Sequence, residues 1–228
     1  FASLLFWIDS LVIGYYLGIA YVGFYNAAIP IIALFGLIQE LFMQLLFPII
    51  NKAYAKGDNK LIKELSKQVS SWILILNIPL FLIIFFFPEQ IIGLLFGEEY
   101  IIASNVLRIL SIGALVSFLS PVLTSLVSMA GKSKILLINI LVASLADFIL
   151  NIIFVKQYGM IGAAMSTMII AIGLFIALFF EARYYTSIIP LRRKMLRVYL
   201  VSLIPLTMLV AIKYYVSVNL VVFIFIGV

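Results

Sequence analysis

Apolar runs of bilayer-crossing length, separated by short polar or glycine-containing breaks, make up nearly the whole chain. At 1.5 Å per residue about 20 apolar residues cross the hydrocarbon of a membrane. Runs of this kind occupy residues 1–17, 24–50, 69–87, 102–130, 135–155, 160–180 and 198–215, and another starts at Asn219. They are too long and too continuously apolar for barrel strands, which would alternate over about ten residues. The pattern therefore predicts an all-α fold, a polytopic membrane helical bundle.

The breaks refine this outline. Tyr158-Gly159 leaves so little chain between two apolar runs that it predicts a helical hairpin, and Gly159, Gly162, Ala163, Ala164 and Ser166 supply the small residues that let helix backbones approach in lipid. Residues 18–23 form an uncharged break. Residues 51–68 are polar and read as a loop containing a short amphipathic helix, capped by Asp58 or Asn59, with Leu61, Ile62 and Leu65 on the membrane surface. Pro30, Pro79, Pro121 and Pro205 lie inside spans and predict bends or tilt.

Charge gives these spans a direction. Alternating sides from a cytoplasmic start places Lys52, Lys56, Lys60, Lys63 and Lys67 inside, then Lys132 and Lys134, then Arg183, Arg192, Arg193, Lys194 and Arg197. Only Arg108, Lys156 and Lys213 fall near the outer face, while the interfacial stretch 88–100 carries only acids, Glu89, Glu98 and Glu99. This is the positive-inside pattern through eight successive spans. The net charge of +6 is thereby used as topology, and no basic face is left for a nucleic acid.

Composition agrees. With 66% apolar residues, 11% charged and a mean hydropathy of +1.29, the chain is far from soluble globular averages. The absence of cysteine and histidine excludes disulfides, thiol chemistry and zinc ligation by those residues. Both ends fall inside apolar runs, so the sequence reads as a piece of a longer protein.

A carboxylate at mid-helix costs about 2.5 to 3.5 kcal/mol on insertion scales, so Asp9 and Asp147 need a reason to be there. Ser144, Asp147 and Asn151 share one side of the fifth span, within about 60°. Asn26, Ala33, Gly36, Glu40, Gln44 and Asn51 share one side of the second. Two polar stripes suggest an interior that water reaches, and the candidate substrate or ion pathway is Asp9, Asn26, Glu40, Gln44, Arg108, Asp147 and Asn151. The same groups serve as well for helix-to-helix hydrogen bonds worth about 0.6 kcal/mol each, and Arg108 for contact with outer headgroups. No nucleophile–base pair, phosphate-cradling loop or metal-ligand cluster stands out, so neither catalysis nor a resident metal is expected.

Four segments resemble the oligosaccharide flippases of the MATE-like (multidrug/oligosaccharidyl-lipid/polysaccharide) superfamily. They are Asp9-Ser-Leu-Val-Ile-Gly with Val22-Gly-Phe-Tyr-Asn-Ala-Ala; Phe47-Pro-Ile-Ile-Asn-Lys-Ala-Tyr; Leu95-Phe-Gly-Glu-Glu-Tyr with Val106-Leu-Arg-Ile-Leu; and Ile149-Leu-Asn-Ile-Ile with Tyr158-Gly-Met-Ile-Gly-Ala-Ala. The resemblance implies two six-helix lobes around a cavity open alternately to each side. Residues 1–185 would be the second lobe, residues 186–228 an added helix and the start of another, and the first lobe would be missing. It further implies a plasma- or inner-membrane protein that flips lipid-linked oligosaccharide, with membrane lipids and glycan-assembly enzymes as partners. No cofactor is implied beyond a coupling proton or sodium ion at Asp9, Glu40 or Asp147. A cation-coupled drug or metabolite antiporter of the same fold, and a membrane enzyme of glycan polymerisation, remain open as alternatives.

Overall fold

The computed structural model describes residues 2–190. The seventh and eighth spans lie outside the described residues, as do Arg192, Arg193, Lys194, Arg197, Pro205 and Lys213. The described elements are α1 (Ala2–Tyr16), α2 (Ile19–Ala55), α3 (Asn59–Phe86), α4 (Pro88–Phe96), a 3-10 turn (Glu98–Ala103), α5 (Ser104–Val116), a second 3-10 turn (Ser117–Leu119), α6 (Ser120–Met129), α7 (Ser133–Tyr158) and α8 (Met160–Thr186). No strand occurs among the described residues. Five continuous helical stretches are long and apolar enough to cross a membrane: Ile19–Ala55, Asn59–Phe86, Glu98–Met129, Ser133–Tyr158 and Met160–Thr186. The 15-residue α1 packs beside them, against α2, α7 and α8.

Several boundaries depart from the sequence pattern. The break at residues 18–23 shrinks to Leu17-Gly18, because Gly18 makes the reversal at φ 97° and Ile19 already starts α2. Residues 51–68 are not a loop. Helix α2 runs on to Ala55 and α3 starts at Asn59, with the Asp58 carboxylate accepting a hydrogen bond from Leu61 N at 3.0 Å. Lysine is a good helix former, so its appearance marks where the hydrocarbon ends and not where the helix ends. Ile62, expected on the membrane surface, is instead buried in the core.

Proline is accommodated rather than disruptive. Helix α2 is continuous through Pro30 and Pro48, and α3 through Pro79. The span containing Pro121 does change, dividing into α5 and α6 at the 3-10 turn Ser117–Leu119. A proline cannot donate to the carbonyl four residues back, and here Ser120 N takes the Ser117 carbonyl in a tighter turn.

The hairpin has the tight form expected. One residue, Gly159, separates α7 from α8, at φ 61° and ψ −141°. A Cβ on Gly162 would lie 2.1 Å from the Phe154 carbonyl oxygen, so the helices approach closer than any side chain permits. Near the opposite end of the same pair, Asn139 donates to both oxygens of Glu181 at 2.8 Å.

The core is divided along the bundle. One cluster joins Leu46, Ile50, Ile62, Leu126 and Ala182 at the lysine-rich end. The other joins Ile13, Tyr25, Ile84, Leu107, Val155 and Ala163 toward the acidic end. Lys132 over the Tyr185 ring, 5.1 Å from its centroid, fixes one end, and Lys156 over Tyr16 at 5.2 Å fixes the other. By the charge rule the first end is cytoplasmic.

Candidate functional site

Between α1, α2, α7 and α8 lies a polar cluster sealed from solvent. Helix α1 contributes Asp9, α2 Tyr25, α7 Asp147 and Asn151 one turn apart, and α8 Ser166 and Thr167. Asp9, Asp147, Asn151, Ser166 and Tyr25 are all 0% exposed. Asp9 accepts three hydrogen bonds. Its Oδ2 takes the Tyr25 hydroxyl and the Thr167 hydroxyl, the latter at 2.7 Å, and its Oδ1 takes Asn151 Nδ2 at 2.8 Å. Ser166 Oγ donates to Asp147 Oδ1 at 2.8 Å and accepts from Asn151 Nδ2 at 3.1 Å.

The close approach at Gly162 explains why α8 can reach these groups. Ala163 and Ala164 are fully buried on the following turn, and Ser166 and Thr167 come next. Small residues pull the backbone in, and the short hydroxyls behind them then bond across the seam.

Two oxygens of this cluster lack a protein partner, Asp147 Oδ2 and Asn151 Oδ1. The only ion pair among the described residues is Arg108 with Glu89, so no basic side chain compensates Asp9 or Asp147. Two carboxylates in one sealed cluster repel at low dielectric. Carboxylate, amide and hydroxyl oxygens together make a hard-donor set suited to a small monovalent cation or a proton. The donor set and the two free oxygens fit that occupant.

The other candidate residues lie elsewhere. Asn26 accepts from the Ser10 hydroxyl at 3.1 Å on an exposed part of the α1–α2 pair. Glu40 and Gln44 are also exposed, joined to each other at 3.3 Å. Their stripe faces away from the packed side of α2, where Phe35, Leu46 and Ile50 are buried. Arg108 stands at the acidic end, giving Nε to the Phe85 carbonyl at 3.1 Å and Nη1 to Asn105 Oδ1 at 3.0 Å, with Nη2 3.7 Å from Glu89. It ties α5 to the end of α3 and the start of α4. The seven candidates thus occupy four places, and only Asp9, Asp147 and Asn151 meet across helices.

Sequence reasoning missed Tyr25 and Thr167 and read Ser166 only as a small packing residue. Tyr25 looks like any aromatic on an apolar helix, and only its tertiary position beside Asp9 distinguishes it. Asn77 on α3 is buried with neither amide atom partnered.

The MatE family profile matches residues 1–153. The chain belongs to the MatE family. This MatE chain is 26% identical over 211 residues to an uncharacterized membrane protein of Methanocaldococcus jannaschii, covering 91% of the chain and 41% of that relative. It is 25% identical over 225 residues to a Haloferax volcanii protein named as a probable low-salt glycan biosynthesis flippase, covering 97% and 47%. A Shigella flexneri protein with the name "Putative O-antigen transporter" is 29% identical over 163 residues, covering 69% and 37%. The chain spans less than half the length of each of these relatives. No solved structure matches it. Family membership together with five membrane-length helices makes this a multi-pass membrane protein.

Proposed function

We propose that this MatE chain is one lobe of a membrane transporter that flips lipid-linked oligosaccharide by alternating access. In this reading a monovalent cation or proton at the Asp9–Asp147–Asn151 cluster couples the movement. The observation that carries the coupling is the pair of buried, unneutralised carboxylates beside the unpaired Asp147 Oδ2 and Asn151 Oδ1. Four helices meet there, so an occupant that draws these oxygens together changes how α1 and α2 sit against the α7–α8 hairpin. A ligand shifts such an equilibrium only by its different affinity for the two arrangements.

The glycan substrate is supported by two relatives, named for a glycan flippase and an O-antigen transporter. Their names also favour a transporter over an enzyme. The exposed Asn26–Glu40–Gln44 side of α2 suits a wet passage facing the rest of the full-length protein, and the missing lobe belongs to the same proposal, as does a plasma- or inner-membrane location.

The test uses full-length protein in vesicles containing a fluorescent polyprenyl-pyrophosphate saccharide, with and without sodium or proton gradients. Gradient-dependent flipping that disappears in Asp147→Asn supports the proposal. Flipping indifferent to both gradients removes the coupling role. Gradient-driven movement of a small organic cation with no movement of the saccharide selects the antiporter instead.

A further inference from the structure

One side of α2 is built like a lipid chain with a headgroup at its end. Leu34, Leu37, Leu41, Leu45 and Ile49 recur at three- and four-residue spacing and are between 43% and 71% exposed. Lys52 and Lys56 continue the series, and at 100° per residue all seven fall in a sector of about 120°. The packed side of the helix, with Phe35, Leu46 and Ile50, lies opposite, and the polar Glu40–Gln44 stripe borders the sector.

Among the described residues the two lysines have no counter-charge. They make no ion pair among the described residues, and the nearest acid in sequence, Asp58, uses its Oδ1 as the cap of α3 at 3.0 Å. Charge needed only for topology could sit anywhere around the helix end. Here both lysines fall in the angular sector of the apolar strip, about 6 Å apart along the axis. From Leu34 to Ile49 the strip runs about 22 Å, more than the roughly 15 Å of one leaflet's hydrocarbon. The cytoplasmic leaflet, which this end faces, carries the anionic lipids.

We infer that the cytoplasmic end of α2 binds an anionic phospholipid, its acyl chain along Leu34 to Ile49 and its phosphate between Lys52 and Lys56. Lysine stems lie along the apolar surface while their ammonium groups reach the phosphate level. The site is separate from the buried Asp9 cluster and does not rest on the proposed transport reaction.

Native mass spectrometry of the full-length protein, released from detergent containing equal phosphatidylglycerol and phosphatidylcholine, reads this directly and independently of orientation in a membrane. The wild type and K132Q/K134Q should retain phosphatidylglycerol preferentially. K52Q/K56Q should retain it about thirtyfold less, the consequence of losing two lysines near the headgroup. Equal retention of the two lipids by the wild type overturns the inference. So does an equal loss in both double variants, which would mean general charge, or an undiminished preference in K52Q/K56Q. Polyprenyl phosphate is the competing arm: if it displaces bound phosphatidylglycerol at equal concentration, the strip belongs to a polyprenyl carrier and the assignment to a phospholipid fails.

Discussion

Asn151 Nδ2 lies 2.8 Å from Asp9 Oδ1, across 142 residues of chain, and this contact joins the first described helix to the hairpin near its end. Asn151 stands between the two acids, donating toward Asp9 and Ser166 while its own carbonyl oxygen remains free. The amide thus couples the acids without neutralising either.

The two acids should respond differently to amidation. Asp9 accepts from Tyr25, Thr167 and Asn151, so Asp9→Asn replaces the oxygen that takes two hydroxyl protons by an amino group and leaves a buried hydrogen bond unmade, costing about 1–3 kcal/mol. Asp147 needs only Oδ1 for Ser166, and Asp147→Asn can put its new amino group at the unpartnered position. Thermal unfolding in detergent should show a clear drop for Asp9→Asn and a change within about 1 kcal/mol for Asp147→Asn. The reverse order would mean that Asp9 is not held as described.

Adding the coupling ion should raise stability in the wild type and not in Asp147→Asn. An ion that binds the folded protein alone stabilises it by about 2.7 kcal/mol at a hundred times its dissociation constant. Unfolding curves in sodium and in an impermeant organic cation at matched ionic strength supply the comparison. A sodium shift of equal size in both proteins would place the ion elsewhere.

Gly162 and Gly173 form a matched pair on α8. A Cβ at Gly162 meets the Phe154 carbonyl oxygen at 2.1 Å, whereas at Gly173 nothing lies within 4 Å. Gly162→Ala should therefore push α8 from α7, cost about 1–3 kcal/mol by overpacking and loosen Ser166 and Thr167. Gly173→Ala should stabilise by about 0.5–1 kcal/mol through helix propensity. Unfolding midpoints decide both, and equal effects would contradict the close hairpin.

The hairpin was legible because its signal is local: a glycine break and small residues beside long apolar runs. Helix ends near Lys52–Lys67 were not, since polarity reports the water boundary and a helix crosses that boundary freely. Both polar stripes were visible as stripes, but their directions were not. Asp147 and Asn151 turn inward to Asp9, while Glu40 and Gln44 turn away from the bundle, and in lipid the packed and exposed sides of a helix are both apolar. Hydropathy therefore marks a face as polar without saying what it meets. Tyr25 shows the limit from the other direction, being indistinguishable in sequence from the ring of a packing residue.

The direction of the α2 stripe makes a last prediction. If Glu40 and Gln44 border water in the full-length protein, cysteines at 40 and 44 should react with a membrane-impermeant thiol reagent. Cysteines at 41 and 45, on the adjoining apolar strip, should not. This chain contains no cysteine of its own, so each label reports a single position within it. A rate difference of about tenfold between 44 and 45 would set the boundary between passage and lipid within one residue step, the 100° that separates neighbouring side chains on a helix. Equal slow labelling at all four positions would mean that the stripe is closed off by another helix, and its polar groups would then be hydrogen-bonding contacts between helices. Labelling at 40 that weakens when the coupling ion is added would tie this exposed side to the buried Asp9 cluster, since α2 carries both Glu40 and Tyr25.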